Sequence, residues 1–156
     1  MWWAVRRAIP SHRASSIMAQ MVTPPRGFVW EVLREERLLV SYSDGPGSDK
    51  QWLDYLATLN RLPSEASRPL RILAYAADAP PRVGLEGIMS AARGKSWRVA
   101  LISPSTGVRF AASTFSFVIK TLRFFAPNEL PAAFDHLGCD QVERQKASEA
   151  LARLRE

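Results

Sequence analysis

One cysteine, two histidines and no apolar run as long as a membrane-spanning helix needs, about eighteen residues, narrow what this 156-residue chain can be. The single Cys139 cannot form an internal disulfide, and a chain of this length buries enough surface to hold a core without one. His12 and His136 lie far apart in sequence, which leaves little material for a histidine-based relay or a zinc site. Acid is missing from the first 26 residues, which hold Arg6, Arg7, Arg13 and Arg26. Those four account for most of the formal net charge of +6. The remainder is almost balanced, so a basic composition gives no ground for nucleic-acid binding, and no aromatic-and-basic stripe, zinc finger or helix-turn-helix pattern supplies another. Repeats and a two-domain split are also absent.

What is present begins with a head, residues 1–26, rich in Ser, Ala, Arg and Pro and closed by Pro24-Pro25. Trp2 and Trp3 precede the arginines, the wrong order for a secretory signal, so a cytoplasmic location is expected. The head reads as a flexible basic tail, with Met18 or Met21 as an alternative working start. It also reads as a weak peripheral membrane contact through Trp2, Trp3, Arg6 and Arg7, or as a peptide docked on a partner or on its own domain.

Residues 27–138 alternate in type. Two β-prone runs, 28–33 and 37–42, flank a charged turn and predict an antiparallel hairpin. After the loop 43–47, Ser48 or Asp49 caps a helix carrying Trp52, Leu53, Leu56, Leu59 and Leu62. A strand at 70–75 follows, then a helix opened by Asp78-Ala79-Pro80-Pro81 and stopped at Gly94, then a strand at 97–102. Ser105 or Thr106 caps a third helix to about residue 119; a strand at 121–125 and a fourth helix closed by Gly138 complete the series. Residues 139–156 read as a charged helical tail with sparse apolar points at Val142, Ala150 and Leu154. Strands alternating with helices call for a mixed, mostly parallel α/β sheet started by the hairpin and covered by four helices.

With Trp97-Arg98-Val99-Ala100-Leu101-Ile102 before the third helix, then Arg123-Phe124-Phe125-Ala126-Pro127-Asn128-Glu129-Leu130 and Ala133-Phe134-Asp135-His136-Leu137-Gly138, this order resembles the STAS and SpoIIAA-like superfamily over about residues 27–138. Stand-alone STAS-like proteins common in myxobacteria are the nearest type. The resemblance implies a non-catalytic regulatory module of one domain. Its better-known members bind a partner kinase and are switched at a Ser in a D-x-S-G turn between the third strand and second helix. Here that turn is Asp78-Ala79-Pro80-Pro81, which offers no hydroxyl, so phosphorylation at the turn is excluded. Ser103, Ser105 and Thr106, at the next strand-to-helix loop, are the nearby candidates, with Ser105 and Thr106 favoured. Distant relatives resemble lipid-transfer domains, which keeps an apolar ligand in view.

Local motifs add no chemistry. Gly94-Lys95-Ser96 lacks the upstream glycine of a phosphate loop, that position being Met89, and it follows a helix instead of opening one. No G-x-S-x-G is present; His136 and Cys139 share one helix end, with His136 expected to face solvent. Asp44, Asp49 and Asp54 fit no calcium loop and read as a loop acid, a cap and a surface acid. Neither a catalytic set, a cofactor nor a metal is expected.

The third helix is different, being apolar around much of its circumference. Val108, Ala111, Phe115 and Val118 make one arc toward the sheet, leaving Phe110 and Phe117 on a flank with Ser113 and Thr114 between them. Such a surface wants a cover. The fourth helix or the tail would supply it within the chain; a protein partner or a second copy would supply it from outside; a lipid would fill it as a groove. The expected function is therefore a non-catalytic protein–protein interaction module that binds a partner or itself through Phe110, Phe117, Ser113 and Thr114. The alternative is an apolar-ligand or membrane-surface binding domain.

Overall fold

A computed structural model describes residues 27–156. Its five strands lie in the sheet in chain order: β1 (Phe28–Leu33), β2 (Leu38–Ser43), β3 (Leu70–Ala76), β4 (Trp97–Ile102) and β5 (Leu122–Phe125). β1 and β2 pair antiparallel, Phe28 opposite Ser43 and Leu33 opposite Leu38, and every later pair is parallel. The expected α/β architecture with an antiparallel start is thus observed. The hairpin turn brings Arg37 to a φ of 47°, with its amide donating to the Arg34 carbonyl at 3.2 Å.

Three helices cross between the parallel strands: α1 (Asp49–Arg61), α2 (Arg82–Ala92) and the short α3 (Thr106–Ala112). With strands in sequential order, right-handed crossovers place all three on one face. There Leu39, Ile72 and Val99 meet Trp52, Leu56 and Leu59 of α1, Ala91 and Ala92 of α2, and Ala112 and Phe115 beyond them. The alternate residues Leu38, Val40, Leu73, Ala100 and Ile102 point to the other face. That face is covered by α4 (Leu130–Leu137) and α5 (Gln141–Arg155), which follow the last strand. Strands buried on both faces explain the unbroken apolar runs at 38–40 and 99–102.

Several expectations are corrected at this level. Five helices, not four, accompany the sheet, because the stretch at 139–156 folds onto it. Asp140 and Glu143 form a reciprocal capping box, Glu143 N donating to Asp140 Oδ1 at 2.8 Å and Asp140 N to Glu143 Oε1 at 3.0 Å. Ala147, Ala150, Leu151 and Leu154 are buried, whereas Val142 is exposed. Ionic contacts then tie α5 to the hairpin side: Arg71 with Glu143, Lys146 with Glu36, and Arg153 with Glu31 at 2.7 Å. In α1, Tyr55 is buried and Leu53 is exposed, since the helix turns its aromatic side toward Phe28 and Trp30. Ser48 caps that helix and Asp49 does not, its hydroxyl accepting from Gln51 N at 3.1 Å.

The run 78–81 opens α2 as expected: its last residue, Pro81, is the N-cap, and no side chain caps the helix. Gly94 (φ 72°) and Gly138 (φ 67°) end α2 and α4 in the left-handed conformation, as their positions predict.

Candidate interaction surface

The third crossover supplies the surface. Ser105 caps α3, its hydroxyl accepting from Val108 N at 3.3 Å. After seven helical residues the α-helix gives way to a 3-10 turn, Ser113–Phe117. The cause is legible in the side chains. Ser113 Oγ donates to the Phe110 carbonyl at 2.6 Å, Thr114 Oγ1 to the Ala111 carbonyl at 2.9 Å, and Ser116 Oγ to the Ser113 carbonyl at 2.6 Å. Hydroxyls bonded to carbonyls three residues back compete with the α ladder and favour the tighter turn.

The expected continuous helix to about residue 119 is therefore corrected, and the buried arc with it. Val108, Ala112, Phe115 and Ile119 face the core, while Ala111 and Val118 are only half-buried. Phe110 and Phe117 stand outside that arc at 82% and 84% exposure. They are the most exposed large apolar side chains among the described residues, ahead of Val142 and Leu53. Neither α4 nor α5 covers them, since both helices pack on the opposite face. Ser113 and Thr114 are exposed beside the rings, with their protons already committed to the backbone.

Around this segment exposed cations outnumber the exposed acids, Asp78 and Glu86. Arg93, Lys95, Lys120 and Arg123 are all exposed. Residues 82–126 hold seven Lys and Arg against the one acid Glu86, which is already engaged by Arg82 at 2.7 Å. Sequence reasoning passed over these cations because it averaged charge over the whole body. A count by segment would have found them.

The turn at 76–81 borders an apolar cavity of about 90 Å³ under α1, α2 and α3, with Asp78 and Pro80 at its edge and Trp52, Tyr55, Ile88 and Phe115 in its wall. Small-ligand sites run to roughly 300–1,000 Å³, so this space as shaped takes no lipid chain. Tyr55 is the ionisable group in the wall that burial most affects. Desolvation pushes its hydroxyl far up, and a hydrogen bond with Ser41 offsets only part of that. The phenol therefore stays protonated at neutral pH, packed edge-on against Phe28, Trp30 and Trp52.

Other sequence candidates do not converge. His136 Nε2 lies 2.7 Å from the Thr121 carbonyl and 3.2 Å from that of Val99. This corrects the solvent-facing expectation: the ring ties α4 to the β4–β5 side. Cys139 is buried, and burial pushes its thiol up, the nearby Arg71 countering less strongly. Asp44 accepts from Gly27 N at 2.9 Å and Asp54 pairs with Lys50 at 2.8 Å. Among the described residues no three His, Cys, Asp or Glu side chains gather as a metal site would require. No helix among them is long and apolar enough to cross a membrane. Of the hydroxyls near the third crossover, Ser103 is fully buried, Ser105 serves the cap and Thr106 is exposed. Trp2, Trp3, Arg6, Arg7 and His12 lie outside the described residues.

No family model, curated protein or solved structure matches the chain.

Proposed function

We propose that the protein is a STAS-like, SpoIIAA-like regulatory module without catalytic chemistry, binding a protein partner through the segment that carries Phe110 and Phe117. The exposure of both rings beyond 80% carries this reading, because two apolar side chains of that size on one short crossover are wasted in water. The hairpin followed by parallel strands in chain order supports the superfamily. The hydroxyl-free turn at 76–81 supports a contact that is not switched by phosphate there.

The test is a pair of variants. Phe110→Ser with Phe117→Ser should melt with the wild type and lose a protein that the wild-type chain captures specifically, since aromatic anchors at an interface centre commonly contribute about 2 kcal/mol or more each. Phe115→Ala should keep partner binding in its folded fraction but lower stability by about 3–5 kcal/mol. Unfolding of the double variant would place both rings in the core and end the proposal. Release of a co-purifying lipid from the double variant, with the captured protein unchanged, would favour the apolar-ligand alternative.

A further inference from the structure

On the segment that carries the two exposed rings, α2 and the 3-10 turn Ser113–Phe117 line an open hollow of about 340 Å³, to which Thr114 and Phe115 contribute from the turn. Leu85, Met89 and Phe115 give it an apolar floor, and Arg93 and Thr114 stand in its wall. A second cleft of about 340 Å³, at the far end of the turn, has Lys95, Arg98 and Lys120 in its lining and no acid. Protruding rings and an apolar hollow on one crossover, with cations in the lining of the hollow and of the neighbouring cleft, form a surface that can take an amphipathic helix.

We infer that the occupant of this face is an acidic amphipathic helix of another protein, its apolar stripe against Phe110, Phe117 and the Leu85–Met89 hollow and its carboxylates toward Arg93, Lys95 and Lys120. This rests on the proposed contact role of the two phenylalanines and adds the chemistry of the partner. Three observations select it. Among the described residues the surplus of cations is confined to residues 82–126, because residues 27–81 and 127–156 each hold more acids than bases. A second copy would bring the same cations against themselves, and like charges juxtaposed across an interface oppose association. A bilayer would accept the protruding rings but would leave the α2 hollow unfilled. Glu86 also lines that hollow, and its pairing with Arg82 at 2.7 Å leaves Arg93 as the charge there without an ion-pair partner.

The experiment uses the full chain and two synthetic eighteen-residue helices with the same leucine stripe, one flanked by Glu and one by Lys. In 50 mM salt the Glu helix should bind at least tenfold more tightly than the Lys helix, and the gap should shrink severalfold in 500 mM salt as screening sets in. Lys95→Glu with Lys120→Glu should abolish or reverse the preference without shifting the melt. Equal binding of both helices, or binding of neither, overturns the inference. So does sedimentation with vesicles of one part phosphatidylserine to three parts phosphatidylcholine when neither helix binds, or a dimer that Phe110→Ser with Phe117→Ser dissolves. If the two helices bind equally and the double Phe variant still loses both, the contact role survives and only its charge chemistry fails. If the double variant binds the Glu helix as the wild type does, the contact role itself is refuted.

Discussion

Glu143→Gln isolates the joint that holds α5 to the sheet. In the folded chain one carboxylate oxygen of Glu143 accepts the Asp140 amide and the other pairs with Arg71. The Arg71 and Glu143 side chains are only 16% and 15% exposed. Glutamine at this position keeps an oxygen for the capping box, and Arg71 keeps the Glu36 carbonyl, so only the ionic part of the joint is removed. Breaking a fully buried pair costs roughly 3–5 kcal/mol and an exposed one about 0–1. A pair at this depth, with both partners partly re-satisfied, should cost about 2 kcal/mol. For a folded region of this size that is about 8 °C in melting temperature.

Acid supplies an internal control for that variant. The hydrogen bond from Arg71 holds the Glu143 carboxyl below its ordinary value of 4.5, with burial opposing. A carboxyl whose folded pKa is depressed stabilises the fold above the unfolded value and loses that contribution as pH falls through the folded one. The gap between wild type and variant should therefore be full at pH 7 and shrink as pH falls below the ordinary 4.5 and through the depressed folded value. Glu36, also lowered, chiefly by its hydrogen bond with Lys146, contributes to acid loss in both proteins and drops out of the difference. Thermal melts by circular dichroism at pH 7 and pH 3 read both. A gap under about 0.5 kcal/mol at pH 7, or one that persists at pH 3, would refute the joint.

Two further outcomes are expected. Gly84→Ala should destabilise by about 1–2 kcal/mol despite the better helix propensity of Ala, because the added Cβ would sit 2.7 Å from the rigid Trp52 ring system; a variant that melts higher in urea titration would contradict that close approach. Incubation with a serine/threonine kinase and ATP should place no phosphate in residues 76–81, which have no hydroxyl, or on the buried Ser103; phosphate mapped to Ser103 by mass spectrometry would mean that the third crossover opens.

Much of the architecture is readable from the sequence because its signals are local. The hairpin shows in two β-prone runs around a charged turn, and Gly94 and Gly138 punctuate helices that need a left-handed stop. The errors arise where a signal is diluted or overridden. Residues 139–156 look like a tail because their buried face is built largely of Ala147 and Ala150, small residues that add little to hydropathy yet let a helix lie close on the sheet. Their attachment depends on Arg71 and Glu36, far away in the chain, which no local pattern reveals. The third helix is misphased because Ser113, Thr114 and Ser116 tighten it into a 3-10 turn. That shift moves Ala112 and Ile119 into the core in place of Ala111 and Val118, yet leaves Phe110 and Phe117 outside, so the candidate surface survives the error in phase. Its cations were visible as a segmental excess and were lost in the average over the chain.

Photo-crosslinking tests the contact role of this surface most directly. A benzophenone side chain installed in place of Phe117, and separately in place of Phe110, should on illumination in native lysate form a discrete adduct with one other protein. The same group at Leu53 or Val142, apolar side chains that are also exposed but lie on α1 and α5, should not form it. Adducts of equal yield at all four positions, or none at 110 and 117, would contradict a contact surface on the third crossover.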